Sequence, residues 1–293
     1  MSDNLVTPEH HRPDRAPGFR AIRWNNDWIL RPLMGVGMAI VALGGAAMEP
    51  KVLAGLILLL LIAAGREWHR LVSQNRLEPV RLHLLTAVTV ASAAASLAMF
   101  LSGLVLWAVL PLLVGAGVAY LLAQQVNPLW QAAGVVYLGL PALALVALRS
   151  EPRGALMVMG LFFIVWATDT GALVFGNLIG GPRLAPRLSP GKTWAGTIGG
   201  SVTAALVYGF FVTVIDGSFE WSMIFAFLFS IVAHGGDLLE SFCKRRFGVK
   251  DTGTAIPGHG GILDRIDSTL AASVALALLV FLFHLDPLFR GIL

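Results

Sequence analysis

The chain has 293 residues, of which 56% are hydrophobic and only 13% are charged, with a mean hydropathy of +0.76. In soluble domains about a quarter of the residues are charged, so this composition excludes an ordinary soluble fold and predicts an integral membrane protein. The pI of about 9.6 does not indicate nucleic-acid binding, because no basic patch is interleaved with stacking aromatic residues and most cations lie beside apolar runs.

Nine apolar runs of near-spanning length follow a polar segment of 30 residues. They cover residues 33–48, 52–64, 82–101, 104–122, 130–148, 155–174, 197–215, 221–239 and 268–284. Their residues are continuously apolar rather than alternating, which favours helices over barrel strands. The predicted fold is therefore an all-α, polytopic membrane protein with about nine transmembrane helices.

The distribution of cations predicts the orientation of these helices. If the N-terminus is cytoplasmic, 17 of the 21 Lys and Arg residues fall in cytoplasmic segments. The remaining four are Lys51, Arg149, Arg153 and Arg290. Because Lys and Arg are enriched in cytoplasmic loops, we expect the N-terminus inside and the C-terminus outside.

The loop after the sixth run, residues 167–200, combines glycines and prolines with a few polar side chains. Its GKT sequence is not a Walker A motif, because Pro186 stands where the motif needs glycine and a membrane helix precedes it instead of a strand. A simple Gly/Pro-rich turn is the alternative interpretation. The position of Asp169 favours a functional role. At about 1.5 Å per residue it lies roughly 22 Å into its helix, inside the bilayer, where an ionisable side chain is energetically costly.

Carboxylates on three helices are predicted to reach one level of the membrane. Asp237 lies as deep in the eighth run as Asp169 does in the sixth, and Asp264 and Asp267 enter the ninth run from the same side. Such carboxylates repel one another unless cations neutralise them. Mg²⁺ held by carboxylates and substrate phosphates is the simplest solution, with two ions as an option, whereas a set of interfacial salt bridges is the alternative.

The segment from Ser241 to Ser268 is a polar island between two apolar runs. Its cations are of the type that binds phosphate oxygens. They are Lys244, Arg245, Arg246, Lys250 and Arg265. Glycines beside His259 favour a phosphate-contacting turn over a catalytic histidine, although a histidine that is merely hydrogen-bonded at the interface is the alternative. For Lys250 the alternative is a lysine that snorkels to the headgroups.

Three segments together resemble the phosphatidate cytidylyltransferase (CDP-diglyceride synthase) family. The matching residues of the island are Ser241, Lys244, Arg245, Lys250, Asp251, Gly253, Ile256, Pro257, His259, Gly260, Gly261, Asp264, Arg265 and Asp267. The segments Asp169 to Ala172 and Ser189 to Trp194 are similar to the same family. The resemblance implies a reaction of CTP with phosphatidate that gives CDP-diacylglycerol and pyrophosphate, with Mg²⁺, in phospholipid biosynthesis at the bacterial inner membrane, with the active site facing the cytoplasm.

The resemblance also implies roles for individual residues. The expected catalytic residues are Asp237, Asp264, Lys250 and Asp251, and the expected metal ligands are Asp237, Asp264 and Asp267. Substrate contacts are expected from Lys244, Arg245, His259, Gly260, Gly261, Arg265, Ser189, Lys192, Thr193 and Asp169. The implied domains are a cytoplasmic tail (1–30), N-terminal transmembrane helices (31–150) and a C-terminal catalytic domain (151–293) with cytoplasmic loops at 175–196 and 240–267.

Other interpretations stay open at this point. A transporter could use the buried acids as an ion-coupling site, and it would move its substrate without consuming CTP, although no internal repeat supports it.

The expected partners of an enzyme are CTP, phosphatidate and the bilayer, with no nucleic acid and with a homodimer as an option. Glu67, at the inner end of the second run, is interpreted as an interfacial anchor or as a dimer or lipid contact.

Overall fold

Nine α-helices and one short β-hairpin form the part of the protein that the computed structural model describes, residues 27–253 and 260–288. The helices are α1 (Asp27–Ala47), α2 (Pro50–Ser73), α3 (Pro79–Leu101), α4 (Leu110–Leu122), α5 (Pro128–Ser150), α6 (Gly154–Leu178), α7 (Trp194–Val214), α8 (Phe219–Arg246) and α9 (Leu263–Phe283). A 3₁₀ turn, Val105–Trp107, precedes α4, and the hairpin consists of β1 (Arg183–Ala185) and β2 (Ser189–Thr193).

Each predicted apolar run corresponds to one of these helices, and the all-α, polytopic class is confirmed. Within the described residues, eight helices are long and apolar enough to cross a bilayer, and the apolar part of α1, Met34–Ala47, is shorter. The last turns of α2 and α8 extend beyond the predicted runs, to Ser73 and Arg246. Hydropathy did not predict these turns because they carry charged side chains, several of which the fold buries.

Prolines and a threonine fix several of the helix starts. Pro50, Pro79 and Pro128 each occupy the first position of a helix, where no N–H is needed and the fixed φ angle suits the helix. At the start of α7, the side chain of Thr193 accepts a hydrogen bond from the Gly196 amide at 3.0 Å. The hairpin therefore passes directly into a capped helix.

Two large apolar clusters hold the helices together. One joins α2, α3, α4 and α5 to the ends of α8 and α9, around buried side chains such as Trp68, Leu112 and Leu138. The other includes residues of α1, the end of α5, and the four helices from α6 through α9, around Leu161, Tyr208 and further apolar residues. Because α5, α8 and α9 contribute to both clusters, these three helices connect the two halves.

Glycines allow α6 and α7 to approach closely. A Cβ atom at Gly200 would lie 2.5 Å from the carbonyl oxygen of Thr168, and one at Gly196 would lie 2.7 Å from that of Ala172. Larger residues at these positions would push the two helices apart. The contact holds the part of α6 that carries Asp169 against the first two turns of α7.

The hairpin was not predicted. Its strands are antiparallel, and Arg183 pairs with Thr193 while Ala185 pairs with Ser189. The end of α8 supports it, because the Nε atom of Arg245 donates to the carbonyl oxygen of Leu188 at 3.2 Å. The hairpin thereby places Lys192 next to α8.

Candidate functional site

Three carboxylates from α6, α8 and α9 converge as the depth argument predicted. Asp169, Asp237 and Asp267 lie close enough for their charges to repel one another. Lys192 of β2 is the closest cation, with its Nζ atom 2.5 Å from Oδ2 of Asp237. We call these four residues the acidic cluster. Their elements are held together by the close packing of α6 on α7 and by the contact of α8 with α9.

The acidic cluster is open rather than sealed. Asp169 is exposed on the protein surface, and the side chains of Lys192 and Asp237 keep 20% and 28% of their accessible area. The charge of Arg265 also acts on Asp169. Small ligands therefore have access to a group of hard oxygen donors with cations beside it.

A second group of polar residues, which we call the hydrogen-bonded cluster, contains Glu67, Glu240, Lys244, Thr252 and Asp264. The Nζ atom of Lys244 contacts Oε1 of Glu240 at 3.0 Å and Oδ1 of Asp264 at 2.8 Å. The glutamate side chain is fully buried, and those of the lysine and the aspartate are 13% and 8% exposed.

Asp264 also organises the loop before its helix. Its Oδ2 atom accepts hydrogen bonds from the Thr252 amide at 3.0 Å, the Thr252 hydroxyl at 3.0 Å and the Gly261 amide at 2.9 Å. With Lys244 on its other oxygen, this carboxylate has four donors, which matches the roughly four lone-pair sites of a carboxylate. It holds together the two ends of the segment between residues 252 and 261.

Glu67 of α2 is bound inside the protein. Its Oε1 and Oε2 atoms accept hydrogen bonds from the amides of Ile262 and Leu263 at 3.0 and 2.9 Å, and Oε2 lies 3.3 Å from the Thr252 hydroxyl. The residue is only 6% exposed. The interpretations of Glu67 as an interfacial anchor, a dimer contact or a lipid contact are therefore wrong, and the homodimer stays a prediction.

The depth argument that selected Asp169 missed Glu67 because the second helix was predicted too short. Asp169 lies within a predicted run, whereas Glu67 lies three residues beyond the end of the second run, so only a longer second helix would have made it a functional candidate of the same kind. Its partners were not predictable, because they are backbone amides 195 and 196 residues further along the chain.

The other predicted site residues lie at the surface or in the loops around the two clusters. Exposed residues are Arg245, Lys250, Asp251 and Arg265. Ser189 lies in β2, and Thr193 caps α7. Gly260 has a φ angle of +82°, which favours glycine, and the amide of Gly261 is already used by Asp264. His259, Ile256 and Pro257 lie outside the described residues.

The described residues contain no group of three or more His, Cys, Asp or Glu side chains close enough to hold a metal ion by themselves. A protein site for Mg²⁺ often supplies only one or two carboxylates, and substrate phosphates and water complete the six ligands. The acidic cluster suits that arrangement. Chemically, it can hold cations and, with them, the phosphates of a ligand.

Comparison with known proteins shows which family this chain resembles. Residues 29–283 match the sequence profile of the Cytidylyltransferase family. Proteins named phosphatidate cytidylyltransferase are similar to the chain: one from Brucella suis biovar 1 is 46% identical over 173 residues, covering 57% of this chain and 64% of that protein.

A relative from Rickettsia bellii with the same name is 38% identical over 145 residues, or 47% of this chain and 63% of that protein. One from Staphylococcus haemolyticus is 43% identical over 136 residues, or 46% of this chain and 52% of that protein. The matched part of the chain thus spans less than two thirds of the length of these relatives.

Proposed function

The chain belongs to the Cytidylyltransferase family, and on that premise we propose that it transfers the cytidylyl group of CTP to phosphatidate. A phosphate oxygen of phosphatidate attacks the α-phosphorus of CTP and forms a new P–O bond. The bond from the α-phosphorus to the bridging oxygen breaks, and its electron pair leaves with pyrophosphate. The products are CDP-diacylglycerol and pyrophosphate, so atoms and charge balance without a further reactant.

One observation carries the proposal: the acidic cluster brings together carboxylates of three membrane helices, with Lys192 of the hairpin in contact and the charge of Arg265 acting on it. A reaction between two phosphates needs positioning and neutralisation of charge more than it needs a strong base. The nucleophile is already an anion. The relatives named phosphatidate cytidylyltransferase support the same choice of substrates.

Mg²⁺ is the proposed cofactor, and the donor set of the acidic cluster fits it. Asp237 and Asp267 offer hard oxygens in a group with more carboxylates than close cations. When bound, the metal would neutralise charge that develops on the phosphates. Asp264 can join these ligands only if it gives up part of its present set of four donors.

The cations have a separate role in this proposal. Lys192, which contacts Asp237, and Arg265, whose charge acts on Asp169, would hold phosphate oxygens of CTP beside the carboxylates. Exposure of Asp169 at the protein surface suits a lipid phosphate that enters sideways from the bilayer. CTP would enter from the water side, where Arg245 and Lys250 are exposed.

The site would face the cytoplasm. The bias of 17 cations among 21 supports this orientation. In right-side-out vesicles and a Cys243→Ser background, a cysteine placed at Ser189 should be shielded from an impermeant thiol reagent, and one at Ser218 should react. The reverse labelling pattern would overturn the orientation. Cys243 is buried, so its replacement removes little background.

The activity itself is tested with purified protein in mixed micelles. With radiolabelled CTP, phosphatidate and Mg²⁺, we expect CDP-lipid and pyrophosphate to form in equal amounts, and neither should form without phosphatidate. Ion movement across vesicles without consumption of CTP would instead support a transporter. Absence of both products from well-folded protein would refute the proposed reaction.

A further inference from the structure

Glu67 lies in the N-terminal half of the chain, yet its carboxylate is bound to the residues that begin α9. That helix carries both Asp264 and Asp267, and Thr252 is shared between Glu67 and Asp264. We propose that Glu67 is a positioning residue of the transfer reaction, which fixes Asp264 and the start of α9 through these hydrogen bonds. The inference rests on the proposed function for the reaction that it serves, but the contacts themselves do not.

Two glycines show how closely the loop fits around Glu67. A Cβ atom at Gly261 would lie 2.6 Å from its Oε2 atom, and one at Gly253 would lie 2.7 Å from Oε1. Both glycines lie between the end of α8 and the start of α9. Each is packed against one oxygen of the Glu67 carboxylate, which leaves no room for a side chain at either position.

The contacts also determine where phosphate cannot bind. A helix N-terminus offers free amides and a positive dipole to anions. Here the amides of Gly261, Ile262 and Leu263 already donate to the carboxylates of Asp264 and Glu67. These three amides at the start of α9 thus hold the loop and do not bind phosphate. The phosphates of CTP would therefore be bound by the side chains of Lys and Arg residues.

Positioning differs from a general contribution to stability in what it predicts. If Glu67 only held the fold, its loss would loosen the packing of α2 against its neighbours throughout the core around Trp68. If it positions Asp264, its loss should change the turnover number and local order at the start of α9, while the rest of the bundle stays unchanged. Partners that orient a metal ligand typically contribute about ten- to a hundredfold in activity or metal affinity.

The experiment compares Glu67→Gln with a matched control, Glu78→Gln. Glutamine keeps the shape of the side chain but replaces one acceptor oxygen with a donor, so either the Ile262 or the Leu263 amide loses its partner. Glu78 precedes α3, but it is exposed and makes no side-chain cap. Both full-length proteins are measured for kinetics with CTP and phosphatidate, for thermal stability and for amide hydrogen exchange.

For Glu67→Gln we expect kcat to fall about tenfold or more, with the KM for CTP changed by less than about threefold. Exchange of the amides of residues 260–265 should be about tenfold faster, and exchange across α7 should be unchanged. Glu78→Gln should match the wild type in every measurement. If Glu67→Gln does not fold, Thr252→Val removes the shared hydroxyl and should show the same pattern more weakly.

A wild-type kcat for Glu67→Gln would overturn the inference, as would faster exchange throughout the bundle with a general loss of stability. The exchange measurement does not depend on activity. If the wild-type protein formed no CDP-lipid, the proposed function would fail, while faster local exchange would still show that Glu67 holds the start of α9.

Discussion

The acidic cluster and the hydrogen-bonded cluster both include residues of α8 and α9, but their carboxylates differ in what surrounds them. Asp264 has four donors, whereas Asp267, three residues later on the same helix, accepts a single hydrogen bond from the described part of the chain, donated by the Ser268 amide, and faces the charges of Asp169 and Asp237. Neighbouring aspartates of one motif therefore have different surroundings. One is anchored to the loop, and the other lies among like charges.

This difference separates holding the site together from acting on the substrate. A carboxylate whose lone pairs are occupied contributes to the geometry of the loop, and removing it should cost stability as well as activity. A carboxylate among like charges contributes little to stability and is available to a cation. The predictions below test that separation in order of decreasing effect.

Asp264→Asn should have the largest effect, because it is expected to lower both turnover and stability. Asparagine keeps the shape but replaces one acceptor oxygen with a donor and leaves Lys244 with Glu240 alone. We expect turnover to fall at least about a hundredfold, or roughly 2.7 kcal/mol at about 1.36 kcal/mol per decade. The free energy of unfolding should fall by about 1–3 kcal/mol. Kinetics over a Mg²⁺ titration and a thermal melt in detergent measure the two effects, and near-normal activity in folded protein would exclude Asp264 from the site.

Asp237→Asn should lower turnover about as much without the loss of stability. The carboxylate pairs with Lys192, but it also repels the carboxylates of Asp169 and Asp267. Removing its charge therefore breaks a favourable ion pair and at the same time removes two repulsions. We expect turnover to fall at least about a hundredfold and the melting temperature to stay near that of the wild type. Asp286→Asn is the control, since Asp286 pairs with Arg153 at the other end of α6. Equal losses of stability in Asp237→Asn and Asp264→Asn would remove the distinction between the clusters.

Lys192→Met tests the cation of the acidic cluster. Without its ammonium group, Asp237 loses its close partner, and a phosphate oxygen loses a contact. We expect kcat/KM for CTP to fall about tenfold and half-maximal activity to need less Mg²⁺, because the carboxylate is no longer neutralised by lysine. Arg187→Met removes a cation from the turn of the same hairpin and should have little effect. A need for more Mg²⁺ in Lys192→Met would contradict this account of the ion pair.

Most of the fold could be predicted from the sequence, because long apolar runs have few structural solutions in a membrane. The family predicted from the island and loop motifs is also confirmed. The hairpin was missed because strands of three and five residues in a Gly/Pro-rich loop show no alternating pattern. The last turns of α2 were missed because burial of Glu67 and His69 depends on partners from other helices.

For the site, counting residues along two helices was enough to predict that Asp169 and Asp237 lie at the same depth in the membrane. Counting could not distinguish Asp264 from Asp267, because their difference lies in the loop that folds back onto one of them. Nor could it connect Glu67 to α9, since that contact joins distant parts of the chain. The remaining role assignments within the site stay predictions.

Lys250→Ala should have the smallest effect, because Lys250 is exposed in the loop after α8 and belongs to neither cluster. If its ammonium group contacts a phosphate of CTP or phosphatidate, its loss should raise KM or lower kcat by about threefold to tenfold, as expected for one solvated charge contact. The Mg²⁺ dependence should change less than in Asp264→Asn, since no carboxylate loses its partner. Lys51→Ala, an exposed lysine at the start of α2, is the control. Unchanged kinetics for both substrates, in detergent and in lipid, would make Lys250 a membrane anchor and leave Lys192, Arg245 and Arg265 to bind the phosphates.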